Sequence, residues 1–278
     1  MRLTGGKAET AIGLIDGPVV MGHPDLATER IRAVPGGRRS QCAEVRSAAC
    51  LHGTFVAGIL CAHRHSAAPA ICPQCTLLVR PIFAESVSAN AVMPSAAPPE
   101  LAEAIFETVE AGARVLNLSV ALTLTSMSDE CTVEESLNYA ARRGVIVVTA
   151  AGNQGAVGGS ALTRHPHVIP VAACDRQGRP LYLSNLGRSI GQRGVLAPGA
   201  GVTSVGADGQ PLTMSGTSAA APFVTGTIAL LWSLFPSATA AEVRWAVTAA
   251  SKARRTTIVP PLLDAWGAYQ SLLAANRR

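Results

Sequence analysis

Short runs of apolar residues alternate along this chain with longer segments in which apolar residues recur at helical spacing. The apolar runs predict strands at residues 11–15, 76–83, 115–120, 145–150, 168–173 and 195–197. The periodic segments predict helices at residues 52–61, 100–111, 134–143, 218–234 and 240–250. Strands that alternate with helices in this way form parallel sheets. We therefore predict an α/β fold, a single doubly wound, mostly parallel sheet flanked by helices.

The composition fits one folded domain. The chain has 278 residues, of which 48% are hydrophobic, and this is enough for a large core. No uninterrupted apolar run reaches the ~18 residues of a membrane-spanning helix, so we expect no membrane partner. The net charge of +5 comes mainly from scattered arginines, which argues against a nucleic-acid partner and leaves an acidic peptide as the alternative. We predict one domain over residues 1–278, with its core at about residues 10–250.

Three short motifs place a carboxylate, an imidazole and a hydroxyl at the ends of predicted elements. Asp16 ends a strand in I-G-L-I-D-G, His52 opens a helix in H-G-T-F-V-A-G, and Ser218 opens another in S-G-T-S-A-A-A-P. A serine hydroxyl is a poor nucleophile until an adjacent imidazole takes its proton and a carboxylate orients that imidazole. Taken singly, Asp16 suggests only a turn and Ser218 only a helix cap. Together the motifs indicate nucleophilic catalysis.

A fourth motif, A-A-G-N-Q-G, places Asn153 directly after a predicted strand. By itself it would indicate only a turn. Taken together, however, the four motifs make the chain resemble the subtilisin-family serine proteases (subtilases) over about residues 10–250. Asp, His and Ser follow that family's chain order. The resemblance implies a subtilisin-like fold and a serine endopeptidase that acts through an acyl-enzyme. It also implies a triad of Asp16, His52 and Ser218, with the amides of Asn153 and Ser218 binding the oxyanion.

The resemblance also implies where a substrate would bind. The predicted substrate-binding residues are Ser119, Val120, Ala121, Leu122, Ala151 and Gly152. In the family, the segment after this strand often reads S-L-G-G and pairs with the substrate as an added strand. Here Ala121 and Leu122 replace the two glycines, so we expect a pocket of different shape. The loop at residues 156–166 is expected to bring Arg164 close to this pocket.

Local features also resemble the proteases that mature ribosomally made, modified peptides, in particular the cyanobactin-type N-terminal protease. These features are I-D-G-P-V at residues 15–19 and C-P-Q-C-T-L-L-V-R-P-I-F at residues 72–83. We also expect no signal and no pro-segment before the first motif. The resemblance implies a leader-containing precursor peptide as substrate and a cytoplasmic enzyme. Related macrocyclases insert a helical lid between the triad Asp and His, and the short interval here favours hydrolysis. General intracellular protein turnover and a catalytically silent binding module are the alternatives.

The seven cysteines do not form a complete disulfide framework, because their number is odd and their spacing is irregular. Cys42 with Cys50, or Cys72 with Cys75, is the expected local bridge, and the other cysteines are expected to be small buried hydrophobes. C-P-Q-C lacks the second C-x-x-C of a zinc site.

Calcium is a weaker expectation. Asp25, in H-P-D-L, matches a calcium ligand of secreted subtilases. Residues 62–70, where the calcium loop would follow the histidine helix, contain no carboxylate, and a single carboxylate makes a poor calcium site. We therefore expect no essential metal and no cofactor.

Chelation should consequently leave the protein unchanged. With EDTA present, we expect the same melting temperature and the same activity, because no bound ion stabilises the native state by mass action. Thermal unfolding with and without EDTA measures this. A fall of more than about 5 °C, equivalent to roughly 1 kcal/mol or more in the free energy of unfolding, would reveal a metal site.

Overall fold

The computed structural model describes residues 3–86, 96–120, 127–249 and 257–277. Within these residues, seven strands form one sheet: β1 (Ala11–Asp16), β2 (Ile31–Ala33), β3 (Thr76–Pro81), β4 (Val115–Leu118), β5 (Ile146–Ala150), β6 (Val168–Cys174) and β7 (Val195–Pro198). Every neighbouring pair in this sheet is parallel. A separate antiparallel hairpin consists of β8 (Val202–Val205) and β9 (Pro211–Met214).

Helices accompany the sheet on both faces. Those in the described residues are α1 (Ala48–Cys61), α2 (Pro98–Glu110), α3 (Met127–Arg142), α4 (Ala161–Arg164), α5 (Arg188–Arg193), α6 (Thr217–Leu234), α7 (Ala240–Ala249) and α8 (Ala265–Ala275). The strand order is β2-β3-β1-β4-β5-β6-β7, so the winding direction reverses beside β1. Open α/β sheets bind ligands at the carboxyl ends of the strands next to such a reversal. The predicted doubly wound, mostly parallel sheet is confirmed.

Alternate side chains of the strands pack into two apolar cores, one on each face of the sheet. In β1, Ile12 and Leu14 contribute to one core and Ile15 to the other. Helices α1 and α6 close the first core, and α2 and α3 close the second. Because β1 is covered on both faces, a polar residue at its end is shielded from water.

α6 is the long central helix of the first core. By length and composition alone it would be able to cross a membrane, but 83% of it is buried inside the protein. Near its C-terminal end, Trp232 is 1% exposed and donates its indole N–H to the carbonyl of Ala238. The apolar character of α6 is therefore explained by its place in the core.

Elements with little apolar periodicity differ from the sequence predictions. α3 begins at Met127, well before the predicted start at residue 134, because its N-terminal part is mainly polar. The apolar pattern does not reveal β2, which buries only Ile31, or the half-exposed hairpin of β8 and β9. It also does not reveal α8, which Asp264 caps by accepting a hydrogen bond from the backbone N–H of Gly267.

A disulfide joins Cys42 to Cys50, in the first turn of α1. This is one of the two expected local bridges, whereas Cys72 and Cys75 are buried free thiols, as is Cys61. Burial raises the pKa of the Cys61 thiol, so this side chain stays protonated and packs as a small apolar group. The bridge ties the segment before α1 to the helix that carries His52.

β1 and α1 meet backbone to backbone. A Cβ atom at Gly17 would lie 1.9 Å from the carbonyl oxygen of Ala49, and one at Gly53 would lie 2.4 Å from the carbonyl oxygens of Gly17 and Pro18. Both clashes involve main-chain atoms, so no side chain can move aside to relieve them. Glycine at these positions therefore lets the start of α1 reach the end of β1.

Gly53→Ala should destabilise the protein although alanine is the better helix former. At an open helix position the change would stabilise by about 1 kcal/mol, whereas overpacking at Gly53 should cost about 1–3 kcal/mol. Urea unfolding measures the change in the free energy of unfolding. Gly37→Ala is the matched control, because a Cβ there meets nothing within 4 Å. Equal stability of the two variants would contradict the close approach.

Candidate active site

The carboxyl end of β1 carries a buried carboxylate beside a buried imidazole. Asp16 is 0% exposed, and His52, near the start of α1, is 5% exposed. Nδ1 of His52 lies 2.6 Å from Oδ1 of Asp16, and the same oxygen accepts a hydrogen bond of 2.6 Å from the backbone N–H of Gly17. With Nδ1–H donating to the carboxylate, the opposite ring nitrogen is left as a proton acceptor. The structure thus brings together two of the predicted triad residues.

Burial and the neighbouring carboxylate act on the pKa of His52 in opposite directions. Removal of the imidazolium from water lowers the pKa, whereas the charge of Asp16 and its hydrogen bond raise it. The net pKa lies above the ordinary value of 6.5. The protonated imidazole is therefore stabilised beside Asp16, which is what a base needs once it has accepted a proton.

Ser218 lies at the N-terminal end of α6. The helix begins after Gly216, whose φ of 138° favours glycine. The Ser218 side chain is half-buried, and it lines a cleft of about 330 Å³ together with His52. No hydrogen bond joins these two side chains in the described part of the chain, and such bonds are often long in unliganded enzymes. The imidazole and the hydroxyl therefore line the cleft directly, and the carboxylate of Asp16 lies behind the imidazole, to which it is hydrogen-bonded.

The side-chain amide of Asn153 is held in one orientation by Thr217. Its Oδ1 atom accepts hydrogen bonds from the backbone N–H of Thr217 at 2.9 Å and from its hydroxyl at 3.0 Å. The same hydroxyl oxygen accepts a bond of 3.2 Å from the backbone N–H of Gly152. Because the oxygen of Asn153 is occupied, its NH₂ group is free to donate into the cleft. The motifs do not reveal this role of Thr217, because it depends on the fold around Asn153.

The end of β4 contributes a second part of the cleft. Ser119 and Val120, two of the predicted substrate-binding residues, line it. The predicted substrate-binding residues Ala121 and Leu122 lie outside the described residues.

A buried polar network joins this segment to α6. Oγ of Ser119 accepts a hydrogen bond of 3.0 Å from Nδ2 of Asn117, and Oδ1 of Asn117 accepts one of 2.9 Å from the hydroxyl of Thr225. Asn117 and Thr225 are fully buried, so the three groups satisfy one another without water. The network sets the position of the β4 end relative to the helix that carries Ser218.

The loop after β5 contributes a third part. Gly152 lines the cleft, whereas Ala151 is buried behind it and its carbonyl accepts a hydrogen bond from Nδ2 of Asn185. Arg164, expected near the pocket, pairs with Glu130 at 2.6 Å and lines a separate cavity. Its guanidinium is therefore engaged away from the cleft.

One cluster resembles a metal site by composition. Among the described residues, Cys42, Cys50 and Glu85 are the group of three whose ligand atoms lie within 4.8 Å of one another. Both sulfur atoms belong to the disulfide, and both oxygens of Glu85 accept hydrogen bonds from the backbone N–H of Ala43. The cluster therefore holds the segment that precedes α1 in place, and its atoms are not arranged as metal ligands. Asp25 is not part of it, and the expectation of no essential metal stays a prediction.

The sequence matches known proteins over nearly its whole length. The family described as "Subtilase family" matches residues 7–264. The chain is 31% identical over 232 residues to a thermophilic serine proteinase of Bacillus sp. (strain AK1), covering 82% of this chain and 53% of that protein. It is 30% identical over 227 residues to subtilisin Savinase of Lederbergia lenta, covering 80% and 76%. The chain thus spans about half the length of the Bacillus relative.

Solved structures with the same fold include two proteins with maturation in their descriptions. A mutant of the protease domain of PatA superposes with a TM-score of 0.87 at 28% identity, covering 99% of each chain. The prenylagaramide maturation protease PagA superposes with a TM-score of 0.82 at 26% identity, covering 97% of this chain and 95% of that one. The patellamide maturation protease PatA gives a TM-score of 0.79 at 28% identity, covering 97% and 98%.

Asp16→Asn should lower the pKa of His52. The amide keeps the size of the side chain but removes its charge, so the burial that lowers the pKa is no longer opposed by Coulomb attraction. An NMR titration of the His52 ring measures the change. Asp208→Asn, on the exposed turn of the β8–β9 hairpin, is the control and should leave the titration as it is. The same pKa in both variants would show that Asp16 does not stabilise the imidazolium.

Proposed function

Because the chain belongs to the subtilase family, we propose that it is a serine endopeptidase that processes a ribosomally made precursor peptide. The observation that carries the proposal is the cleft in which the His52–Asp16 pair, Ser218 and the NH₂ group of Asn153 converge. The precursor-peptide substrate is supported by the likeness to PatA and PagA, which are described as patellamide and prenylagaramide maturation proteases.

In the proposed reaction, Ser218 is the nucleophile and His52 the general base. The Ser218 hydroxyl attacks the scissile carbonyl, and Nε2 of His52 takes its proton. Asp16 holds Nδ1–H and stabilises the imidazolium, which then passes the proton to the leaving amine. Water attacks the resulting acyl-enzyme by the same route, which releases the new carboxyl end and restores the serine.

The tetrahedral intermediate needs donors for its oxyanion. We assign this role to the NH₂ group of Asn153 and the backbone N–H of Ser218, which also lies at the positive end of α6. Thr217 occupies the oxygen of Asn153, so the donor end is already oriented before the substrate arrives. A preorganised donor of this kind contributes on the order of 3 kcal/mol to the transition state.

The substrate is proposed to bind as an extended chain beside Ser119 and Val120. An extended peptide can pair its backbone with the end of β4 while its carbonyl enters the site of the oxyanion donors. A folded loop would first have to unfold locally, at a cost in free energy. Flexible precursor peptides therefore fit this cleft better than folded proteins.

We place the reaction in the cytoplasm, where ribosomally made precursors are synthesised. No nucleic-acid or membrane partner is part of the proposal. The Cys42–Cys50 bridge is unusual for that compartment. Cys50 is 0% exposed, which limits attack by soluble thiols on its sulfur atom.

The test compares a proteome-derived peptide library with a panel of folded proteins. We expect cleavage of the peptides at a restricted set of sites, mapped by mass spectrometry, and slow cleavage of the folded proteins.

Ser218→Ala should lose about 10⁶-fold in turnover and keep its fold and its binding of peptides. A fluorophosphonate probe should label the unchanged protein at Ser218 and fail to label the variant.

Two outcomes would contradict the proposal in different ways. Equal cleavage of all folded proteins without sequence preference would favour general protein turnover. No cleavage and no labelling of the folded protein would favour a catalytically silent binding module.

A further inference from the structure

Two arginines without a carboxylate partner lie beside the segment that leads into β6. Arg193 is the last residue of α5, Arg244 belongs to α7, and both side chains are half-buried. The ion pairs among the described residues include neither of them. Burial is the main cause that lowers the pKa of Arg244, and the nearby charge of Arg193 lowers it further. The fold therefore holds two like charges close together, which is unfavourable for both of them.

Two histidines next to these arginines add no negative charge. Nδ1 of His167, the residue before β6, lies 3.3 Å from Nη1 of Arg244. Because a guanidinium only donates, Nδ1 of His167 is the acceptor and its Nε2 atom carries the proton. The pKa of His165 is lowered to about 4, first by burial and then by His167 and the two arginines. The surroundings of His165 are therefore positively charged.

Acidic side chains on neighbouring elements are engaged elsewhere. Oε2 of Glu242, two positions before Arg244 in α7, accepts hydrogen bonds from the backbone N–H and the hydroxyl of Thr239. Glu130 of α3 pairs with Arg164. The cavity of about 210 Å³ that Glu130 and Glu134 line includes His165 but neither of the two arginines. The positive charge beside β6 is thus not compensated by these carboxylates.

Donors of this group are available to a ligand. Arg193 uses Nη2 for the carbonyls of Thr163 and Arg164, at 3.3 and 2.7 Å, whereas its buried Nε atom has no hydrogen-bond partner. Among the described residues, Arg244 makes a single side-chain hydrogen bond, to His167. The side chain of His167 is exposed, with Nε2–H pointing away from that bond. Buried donors are nearly always paired, so a group of this kind is suited to an acceptor that carries negative charge.

We propose that Arg193, Arg244 and His167 form a binding site for a doubly charged tetrahedral oxyanion, phosphate or sulfate. Guanidinium groups bind such anions through paired N–H donors. A tetrahedral anion presents acceptor oxygens in several directions, so it can bond to both arginines and to the imidazole N–H together. A carboxylate has two oxygens in one plane and a single charge, which leaves part of the group unpaired.

The proposed site is separate from the catalytic cleft. β6 contains seven residues that rise by about 3.3 Å each, so its start lies about 20 Å from the edge of the sheet that carries the catalytic residues. The bound anion would join α5, α7 and the segment before β6, which come from distant parts of the chain. The proposal therefore does not depend on the peptidase activity.

Isothermal titration calorimetry of the whole protein with sodium phosphate, at constant ionic strength in chloride buffer, tests the site. Phosphate should bind with a dissociation constant in the millimolar range, and sulfate should compete with it. At about five times the dissociation constant, the melting temperature should rise by about 2–4 °C, because the anion binds the native state. The same rise with sodium acetate would mean general screening of charge and would overturn the proposal.

Phenyl phosphate distinguishes two sources of the anion. Affinity equal to that of inorganic phosphate would support a site that accepts a phosphate ester. Binding of inorganic phosphate without binding of the ester would support a site for the free ion.

Variants locate the binding. Arg244→Gln should weaken phosphate binding by about tenfold or more, the effect of one charge-assisted hydrogen bond. Arg244→Lys keeps the charge but not the paired donors, so its loss should be smaller. Arg193→Gln also removes the bonds to the end of α4 and can destabilise the fold, so the Arg244 variants are the decisive ones.

Arg32→Gln is the matched control, because Arg32 is exposed on β2, at the opposite edge of the sheet, and the change removes the same charge. This variant should bind phosphate as the unchanged protein does. Equal weakening in Arg32→Gln and Arg244→Gln would mean that binding follows net charge alone and would overturn the proposal. No binding of phosphate by the unchanged protein would overturn it as well. Since no measurement here uses peptide cleavage, these outcomes leave the proposed function to its own test.

Discussion

The contact between the end of β1 and the start of α1 is the constraint on which the rest of the site depends. The buried Asp16 and His52 side chains form a hydrogen bond of 2.6 Å, which requires the end of β1 and the start of α1 to lie close together. Gly17 and Gly53 lack the Cβ atoms that would keep them apart. The Cys42–Cys50 bridge anchors the same end of the helix. Because a buried charge without its partner costs several kcal/mol, the stability of the fold and the geometry of the site are coupled here.

The rest of the cleft is organised by short polar side chains that bind loop backbone. Thr217 orients Asn153, Asn185 orients Gln154, and Asn117 links the end of β4 to α6. Each of them uses a donor or acceptor that would otherwise be left unpaired, so the orientation follows from hydrogen-bond satisfaction. Donors that are already oriented need no reorganisation when charge develops on a substrate. The amides that line the cleft are thus oriented by the protein itself.

Long apolar elements were predictable to within a few residues, and exposed ones were not. The pattern predicts a helix at residues 218–234, and α6 spans Thr217–Leu234, because its burial leaves a continuous apolar signal. α3 begins earlier than predicted, and the β8–β9 hairpin has no clear pattern, because burial on one side only leaves little periodicity. The two candidate disulfides were equally acceptable by spacing, and only the fold brings the sulfur atoms of Cys42 and Cys50 together.

The sequence by itself determined the alternation of the long buried strands and helices, the doubly wound sheet and the residue types that meet at its carboxyl edge. Motifs carry this information because each lies within a single strand end or helix start. Only the tertiary structure decided which way the amides of Asn153 and Gln154 point, and that Arg164 pairs with Glu130 away from the cleft. A side-chain amide has a donor NH₂ group on one side and an acceptor oxygen on the other. The residues that fix which of the two faces the cleft come from segments distant in the chain. That choice follows from the packing of the fold, which local sequence patterns do not encode.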